Sequence, residues 1–409
     1  MAEPTHRPPG SITDHGPDWP GSDRRKFIKR CVMGGCGIAL GAYTGWDLVI
    51  QGGNGGLRVG FRNDAPSELW KWSREADWYQ PSGPPNSVMV RCMLCPHECI
   101  LSENDRGFCR VRVVKDGRLH TIAYGNPCAV HLDPIEKKPL YHFLPGTSIL
   151  SIATAGCNLR CRNCQNWEIS QSRPEDTRNY DLLPPQLAQM TSEKSIPSIA
   201  YTYSEPLIFY EYVTDTAEIA QRLGVKNVLV TAGYILEKPL RKLCSVIDAA
   251  NVDLKGFNDR FYKKVAGAKL DPVLRTLEIM REEGVWLELT RLVVPTLSDR
   301  LEDIRAMVKW IIHTLGPGTP LHLSRFHPAY KLRRLPPTPI DVLDRAREIA
   351  LDAGMHFVYV GNAPGHAAQD TICPHCGKIA ITRKGYRIAS NQIQDGRCAC
   401  GESIPGIWQ

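Results

Sequence analysis

Cys157, Cys161 and Cys164 stand in the stretch TAGCNLRCRNCQNW, spaced C-x3-C-x2-C. Three thiolates from one short loop can hold three irons of a [4Fe–4S] cluster and leave the fourth iron without a protein ligand. That open iron can bind a small molecule directly. A zinc knuckle with a distant fourth ligand is the alternative, but zinc ligands more often come as C-x2-C pairs. The spacing favours the cluster. Residues 148–154 (SILSIAT) read as a buried β-strand, so the loop begins just past a strand end.

Two more cysteine groups flank this loop. Cys92, Cys95, Cys99 and Cys109, in MVRCMLCPHECILSENDRGFCRVR, can close around one metal. Zinc and a second iron–sulfur cluster both fit; zinc is preferred because thiolates alone would fill its four sites. A hairpin, residues 109–114 against 119–124 across a KDG turn, would complete the unit. With so few apolar residues it needs a metal to fold. Near the C-terminus, Cys373 and Cys376 (CPHCG) and Cys398 and Cys400 (CACG) flank a second expected hairpin and read as a zinc ribbon. The second pair is one residue short, and His375 could replace a thiolate. The alternative is a loose hairpin with free thiols. Cys128 and Cys244 stand alone and read as buried fillers. Fifteen cysteines, an odd number mostly in short-spaced groups, suit metal ligation in a reducing compartment better than disulfides.

The elements that must position these groups alternate from about residue 149 to 360. Strands are expected at 149–154, 199–203, 227–231, 251–254, 286–293, 321–326 and 356–360. Amphipathic helices are expected at 207–223, 272–283, 301–315 and 340–353. Repeated βα units predict a parallel sheet with helices outside, an α/β partial (βα)6-type TIM barrel, with small cysteine-rich metal modules at both ends. Chemistry on such a sheet sits at the C-terminal strand ends. Glu205, Thr231–Tyr234, Asp253 with Lys255, Arg291, and Arg325 with His327 all fall there. Singly, each has a structural explanation: a helix cap, a solvated ion pair, a satisfied histidine. Together they predict one site.

The chain has 409 residues, 43% hydrophobic, enough for a large core plus modules. Net charge is +7, with acidic and basic residues mixed; nothing asks for nucleic acid. Residues 1–50 are expected to be a disordered tail carrying a signal: Arg24–Arg25, Phe27 and Lys29 precede a Gly/Ala-rich apolar run, like a twin-arginine export signal. That run is too short and glycine-rich for a good membrane span. Residues 51–87 read as a linker with aromatic anchors. The remaining units are 88–144 (front cysteine module), 145–365 (barrel) and 366–409 (zinc-ribbon-like module).

Residues 145–365 resemble the radical S-adenosylmethionine superfamily, nearest its pyruvate formate-lyase activating-enzyme branch. The likeness rests on the cysteine triplet with Trp167 close behind. It implies a [4Fe–4S] cluster on Cys157, Cys161 and Cys164, and S-adenosylmethionine as cofactor, its methionine amino and carboxylate groups on the open iron. TYSEP stands where that branch carries a Gly-Gly-Glu segment, so Glu205 resembles the residue receiving the methionine amino group, with Tyr203 and Ser204 in place of glycines. Asp253 and Lys255 resemble a D-x-K pair near the methionine and ribose. His327 resembles a histidine at the adenosine end. Over residues 88–409 the likeness extends to the AmmeMemoRadiSam radical enzymes, which implies Memo-type and AMMECR-type proteins as partners. The expected function is reductive cleavage of S-adenosylmethionine to a 5′-deoxyadenosyl radical, which takes hydrogen from a substrate the sequence does not name. An electron donor such as flavodoxin or ferredoxin is implied, and the chemistry is expected in the cytoplasm. The alternatives are an activase that installs a glycyl radical on a protein partner, and a non-catalytic, metal-stapled scaffold.

Overall fold

The computed structural model describes residues 47–49, 60–62, 65–84 and 88–409. The expected twin-arginine signal at Arg24 and Arg25 lies outside the described residues. Among those residues, no helix is long and apolar enough to cross a membrane.

The core is one eight-stranded sheet. Its strands are β1 (Ala129–Pro134), β2 (Ser148–Ala153), β3 (Ser198–Tyr201), β4 (Lys226–Thr231), β5 (Ala249–Asp253), β6 (Trp286–Val293), β7 (Leu321–Arg325) and β8 (Val358–Gly361). They lie side by side in chain order. β1 pairs antiparallel with β2 at one edge, and the seven from β2 to β8 run parallel. Strands such as SIAY in β3 are buried along their whole length, as a parallel sheet covered on both faces demands. β1 and β8 do not pair, so this is a partial barrel.

The expected strands are all present, with ends displaced by no more than two residues. Three of the barrel's longer elements were not anticipated. Helices Pro184–Glu193 and Glu237–Cys244 carry prolines that read as breakers, yet all lie in the first turn, where no intrahelical N–H is lost. β1 has a polar, partly exposed pattern ending at Pro134, which marks an edge strand and hides it from an apolar scan.

The front module is two small sheets. Arg112–Lys115 and Arg118–Thr121 form the expected hairpin. Its turn residues Asp116 (φ 52°) and Gly117 (φ 71°) both take the left-handed conformation that a two-residue hairpin needs. Two short pieces of the segment expected as linker belong to these sheets. Arg74–Glu75 pairs with Arg118–Thr121, and Tyr79–Ser82 pairs with Met89–Cys92. A buried ion pair, Arg112 Nη1 to Glu211 at 2.8 Å, ties the module to the barrel helix Tyr210–Arg222.

At the other end, Thr371–Ile372, Ile379–Lys384 and Arg387–Asn391 form a three-stranded antiparallel sheet. Arg383 stacks over Tyr141, 4.1 Å from the ring centre, and donates to the Tyr141 carbonyl at 2.9 Å. The last residues return to the same segment: Ile407 N–H donates to His142 O, and Leu144 N–H to Ile407 O.

Candidate functional site

The cysteine loop leaves β2 through Gly156. Its φ is 98°, and a Cβ there would lie 2.5 Å from the Cys109 carbonyl oxygen, so glycine is required twice over. The loop is then pinned from behind. Arg160 and Arg162 donate backbone N–H bonds to Ala266 and Val265, the end of a π-helical turn (Tyr262–Ala266). Leu159 N–H points at Cys157 Sγ at 3.3 Å, and Cys164 Sγ lies 3.2 Å from Ser170 Oγ. Trp167 stacks on Tyr330 with the rings 5.2 Å apart.

All three thiols face one cavity of 390 Å³ at the C-terminal mouth of the parallel strands. Burial pushes the Cys157 thiol well above its usual pKa and Cys161 up to about 11. Both are therefore thiols at neutral pH until a metal displaces the protons. Three such donors on one pinned loop fit a cluster with an open iron.

Glu205 lines the same cavity from the end of β3. Its Oε1 accepts from Thr231 Oγ1 (2.5 Å) and Leu207 N–H (3.2 Å), its Oε2 from Ala232 N–H (2.8 Å). It caps the turn Pro206–Phe209, as the structural explanation predicts, and faces the cavity as well. Burial raises its pKa, while these donors and Lys255 oppose the rise. Asp253 and Lys255 also line the cavity, paired at 2.7 Å. Burial disfavours the Lys255 ammonium, but Asp253 more than restores it, so Lys255 is held charged.

His327 is exposed and outside the cavity lining; its Nε2 lies 3.1 Å from the Asn362 carbonyl, and Asn362 is itself a wall residue. Arg291 and Arg325 do not reach the cavity. Thr290 and Leu292 of β6 and His322 and Ser324 of β7 line it. Alternate strand side chains face opposite ways, so 291 and 325 point out of the barrel. Arg291 there donates to the carbonyls of Ser298 and Leu254, and Arg325 to that of Thr338. Tyr234 is buried, its carbonyl accepting from Asn158.

Sequence reasoning missed two wall groups. His322 pairs with buried Glu288 at 2.7 Å, and Glu288 also accepts the N–H bonds of Tyr141 and His142. Lys138, 2% exposed, pairs with Asp133 at 2.7 Å. Asp133 also accepts from Lys137 and from the Tyr203 hydroxyl. Tyr203 has a left-handed φ of 61°, a strained state for a tyrosine. Its hydroxyl bond to Asp133 and the Lys138 ammonium 4.2 Å over its ring hold it there. The period-2 alternation of LHLSR could have exposed His322.

The tail cysteines converge. Sγ of Cys373, Cys376, Cys398 and Cys400 all lie within 4.8 Å of one another. Cys373 and Cys400 are 3.7 Å apart, and Cys376 and Cys398 3.8 Å. The short C-x-C spacing is no obstacle, and His375 is not in the group.

Residues 151–311 match the model of the radical SAM superfamily. An uncharacterized protein of Methanocaldococcus jannaschii is 43% identical over 334 residues, 81% of this chain and 98% of that protein. A pyruvate formate-lyase-activating enzyme of Clostridium pasteurianum is 25% identical over 48% of this chain and 85% of its own. Among solved structures, Streptococcus suis SuiB superposes over 56% of this chain and 52% of its own, at 13% identity and a TM-score of 0.42. The matched residues run from the strand that delivers the cysteine loop, past Glu205 and the Asp253–Lys255 pair, into the helix after β6, and with the near-full-length archaeal relative they show that this chain is an enzyme of the radical SAM superfamily.

Proposed function

We propose that Cys157, Cys161 and Cys164 hold the family's [4Fe–4S] cluster, and that Glu205, Asp253, Lys255 and His327 hold S-adenosylmethionine against it. One observation carries this reading: the three thiols, the Glu205 carboxylate and the Asp253–Lys255 pair line a single cavity. When bound, the cluster and S-adenosylmethionine would together supply one-electron reductive cleavage of the sulfonium and hydrogen abstraction from a substrate.

The chain's own residues orient and exclude water. Glu205 has donors on both oxygens and lone pairs left for an ammonium group. Asp253 can accept from ribose hydroxyls, and Lys255 offers its remaining N–H donors to a carboxylate. His327 stands at the rim beside Asn362, where it can meet the adenosine end. His322, Tyr141 and Lys138 line the wall and are candidates to contact the substrate. None of these groups is assigned a proton-transfer role.

The substrate is a small molecule in this reading. A second reading, an activase that places a radical on a partner protein, is supported by the resemblance to the Clostridium enzyme. The tail cysteines are proposed to bind zinc, since a tetrahedral tetrathiolate with bonds of about 2.3 Å puts sulfurs about 3.8 Å apart. Flavodoxin or ferredoxin is the proposed donor, and Memo-type and AMMECR-type proteins are proposed partners.

The test is anaerobic reconstitution followed by EPR and product analysis. The wild type should show a reduced-cluster signal that shifts when S-adenosylmethionine is added, and should release 5′-deoxyadenosine. Replacing Cys157, Cys161 and Cys164 together by Ala should abolish both while the fold survives. A cofactor-sensitive signal persisting in that variant overturns the assignment. A glycyl-radical doublet on a partner protein would select the activase.

A further inference from the structure

We propose that Cys92, Cys95, Cys99 and Cys109 hold a second [4Fe–4S] cluster rather than zinc, beside the first cysteine loop. The sequence alone leaves both metals open and leans to zinc; the placement of the sulfurs reverses that preference. Tetrathiolate zinc needs sulfurs about 3.8 Å apart. The four tail sulfurs meet this, all within 4.8 Å of one another. Among the described residues no three of the front sulfurs do, and neither do those of Cys157, Cys161 and Cys164. Yet the front four are gathered on adjoining backbone. Cys92 N–H donates to the Cys99 carbonyl at 2.9 Å, Glu98 N–H closes the turn between them on the Cys95 carbonyl at 3.0 Å, and Cys109 Sγ lies 3.8 Å from where a Cβ on Gly107 would stand. Thiols that share a pocket but stand too far apart for one ion suit a cubane, which offers each thiolate its own iron.

A second observation points the same way. The Arg112 side chain is 1% exposed. Its Nη1 bonds Glu211, but Nε and Nη2 have no partner. It leaves the chain beside Cys109: a Cβ on Gly107 would lie 3.4 Å from Arg112 Cβ and 3.8 Å from Cys109 Sγ. Buried N–H donors left open are destabilising unless something accepts from them. The sulfurs of an anionic cluster would accept, and such bonds tune cluster potential. Phe108 N–H already points at Cys99 Sγ, at 3.5 Å.

The two cysteine sites are in contact. The Cys109 carbonyl abuts Gly156, the residue before Cys157. His97, between Cys95 and Cys99, lies 2.7 Å from the Asn158 carbonyl. The Arg160 guanidinium sits 3.7 Å from the Phe108 ring centre and donates to the Cys157 carbonyl at 2.9 Å. A front cluster could therefore take one electron from a low-potential flavoprotein or ferredoxin and pass it inward. The front iron is reoxidised as the neighbouring iron is reduced, and no bond forms or breaks. That relay, though not the front site itself, rests on the function proposed above.

The test uses the full chain reconstituted with iron and sulfide. The wild type should bind about eight irons and about one zinc. The Cys157→Ala, Cys161→Ala, Cys164→Ala variant should keep about four irons, with an EPR signal indifferent to S-adenosylmethionine. Cys95→Ser with Cys99→Ser should lose about four irons, keep the cofactor-sensitive signal, and lose reduction by flavodoxin but not by dithionite. If the double variant fails to fold, the triple variant still decides the site. About four irons and about two zincs in the wild type, with no iron in the triple variant, overturns the front cluster while leaving the first one standing. A cofactor-sensitive signal surviving in the triple variant instead refutes the assignment of Cys157, Cys161 and Cys164. Unchanged reduction by flavodoxin in the double variant overturns the relay.

Discussion

Glu205 is the most constrained side chain of the site after the cysteines. It is buried, and it anchors the ends of β3 and β4 by accepting from Leu207, Thr231 and Ala232. Glu205→Gln keeps the volume but turns one acceptor oxygen into a donor that faces N–H or O–H partners. A charged hydrogen bond is worth about 1.5–3 kcal/mol, so S-adenosylmethionine should bind about 10–100-fold more weakly. Titration of the reconstituted variant checks this, with iron content unchanged; wild-type affinity would remove Glu205 from the cofactor site. The cysteines, Glu205, Asp253 and Lys255 were legible because each lies at or shortly past a strand end, and the structure puts all of them on the cavity. Arg291 and Arg325 were misplaced because the sequence marks a strand end without saying which face each residue takes. Asp253 closes β5 on the cavity side and Arg325 closes β7 on the other, and a shift of one residue exchanges cavity for helix layer. His322 was overlooked inside the apolar run of β7, since only its buried partner Glu288 gives it meaning.

Between elements, the join of barrel and tail runs through a segment that carries no regular structure, residues 139–144. His142 is buried there, its Nδ1 2.7 Å from the Pro405 carbonyl and its Nε2 2.6 Å from the Tyr359 hydroxyl. Burial pushes its pKa down to about 4, with Arg383 and His322 adding to the fall and Glu288 and the Pro405 carbonyl opposing it. An unfolded histidine titrates near 6.5. The stability that the neutral ring contributes is therefore present above about 6.5 and is lost as pH falls toward about 4, on the order of 3 kcal/mol in all. His142→Gln should flatten that part of the profile. Thermal midpoints of the two proteins between those pH values should converge toward acid; parallel curves would show that His142 does not carry the effect. Cys373→Ser tests the other support of the tail. Zinc bound to thiolates can supply about 10 kcal/mol or more of a small module's folding free energy. The variant's tail should become sensitive to protease, with the cofactor-sensitive EPR signal intact. This join was not legible in the sequence. His142, Tyr359 and Arg383 are far apart in the chain, and no periodicity links them.

For the chain as a whole, the alternating strands and helices made the barrel readable, while the modules' extent was not. Arg74–Glu75 and Tyr79–Ser82 lack apolar periodicity and belong to the front sheets only through cross-strand pairing. The segment ahead of them bears on where the enzyme works. Arg24 and Arg25 alone would be weak, since basic pairs are common in tails, but Phe27, Lys29 and the Gly/Ala-rich run follow at the spacing of a twin-arginine signal. That route moves folded, cofactor-loaded proteins, so a cluster enzyme is a suitable passenger. S-adenosylmethionine and low-potential reductant are cytoplasmic, so catalysis is expected inside the cell whatever the signal does. Residues 1–50 fused to a folded reporter should therefore engage the twin-arginine machinery, and Arg24→Lys with Arg25→Lys should abolish this. In the native host, the full-length protein should change its distribution between cytoplasm, membrane and exported fractions on the same double change. A protein found wholly in the soluble cytoplasmic fraction, with or without the change, would sink the signal reading.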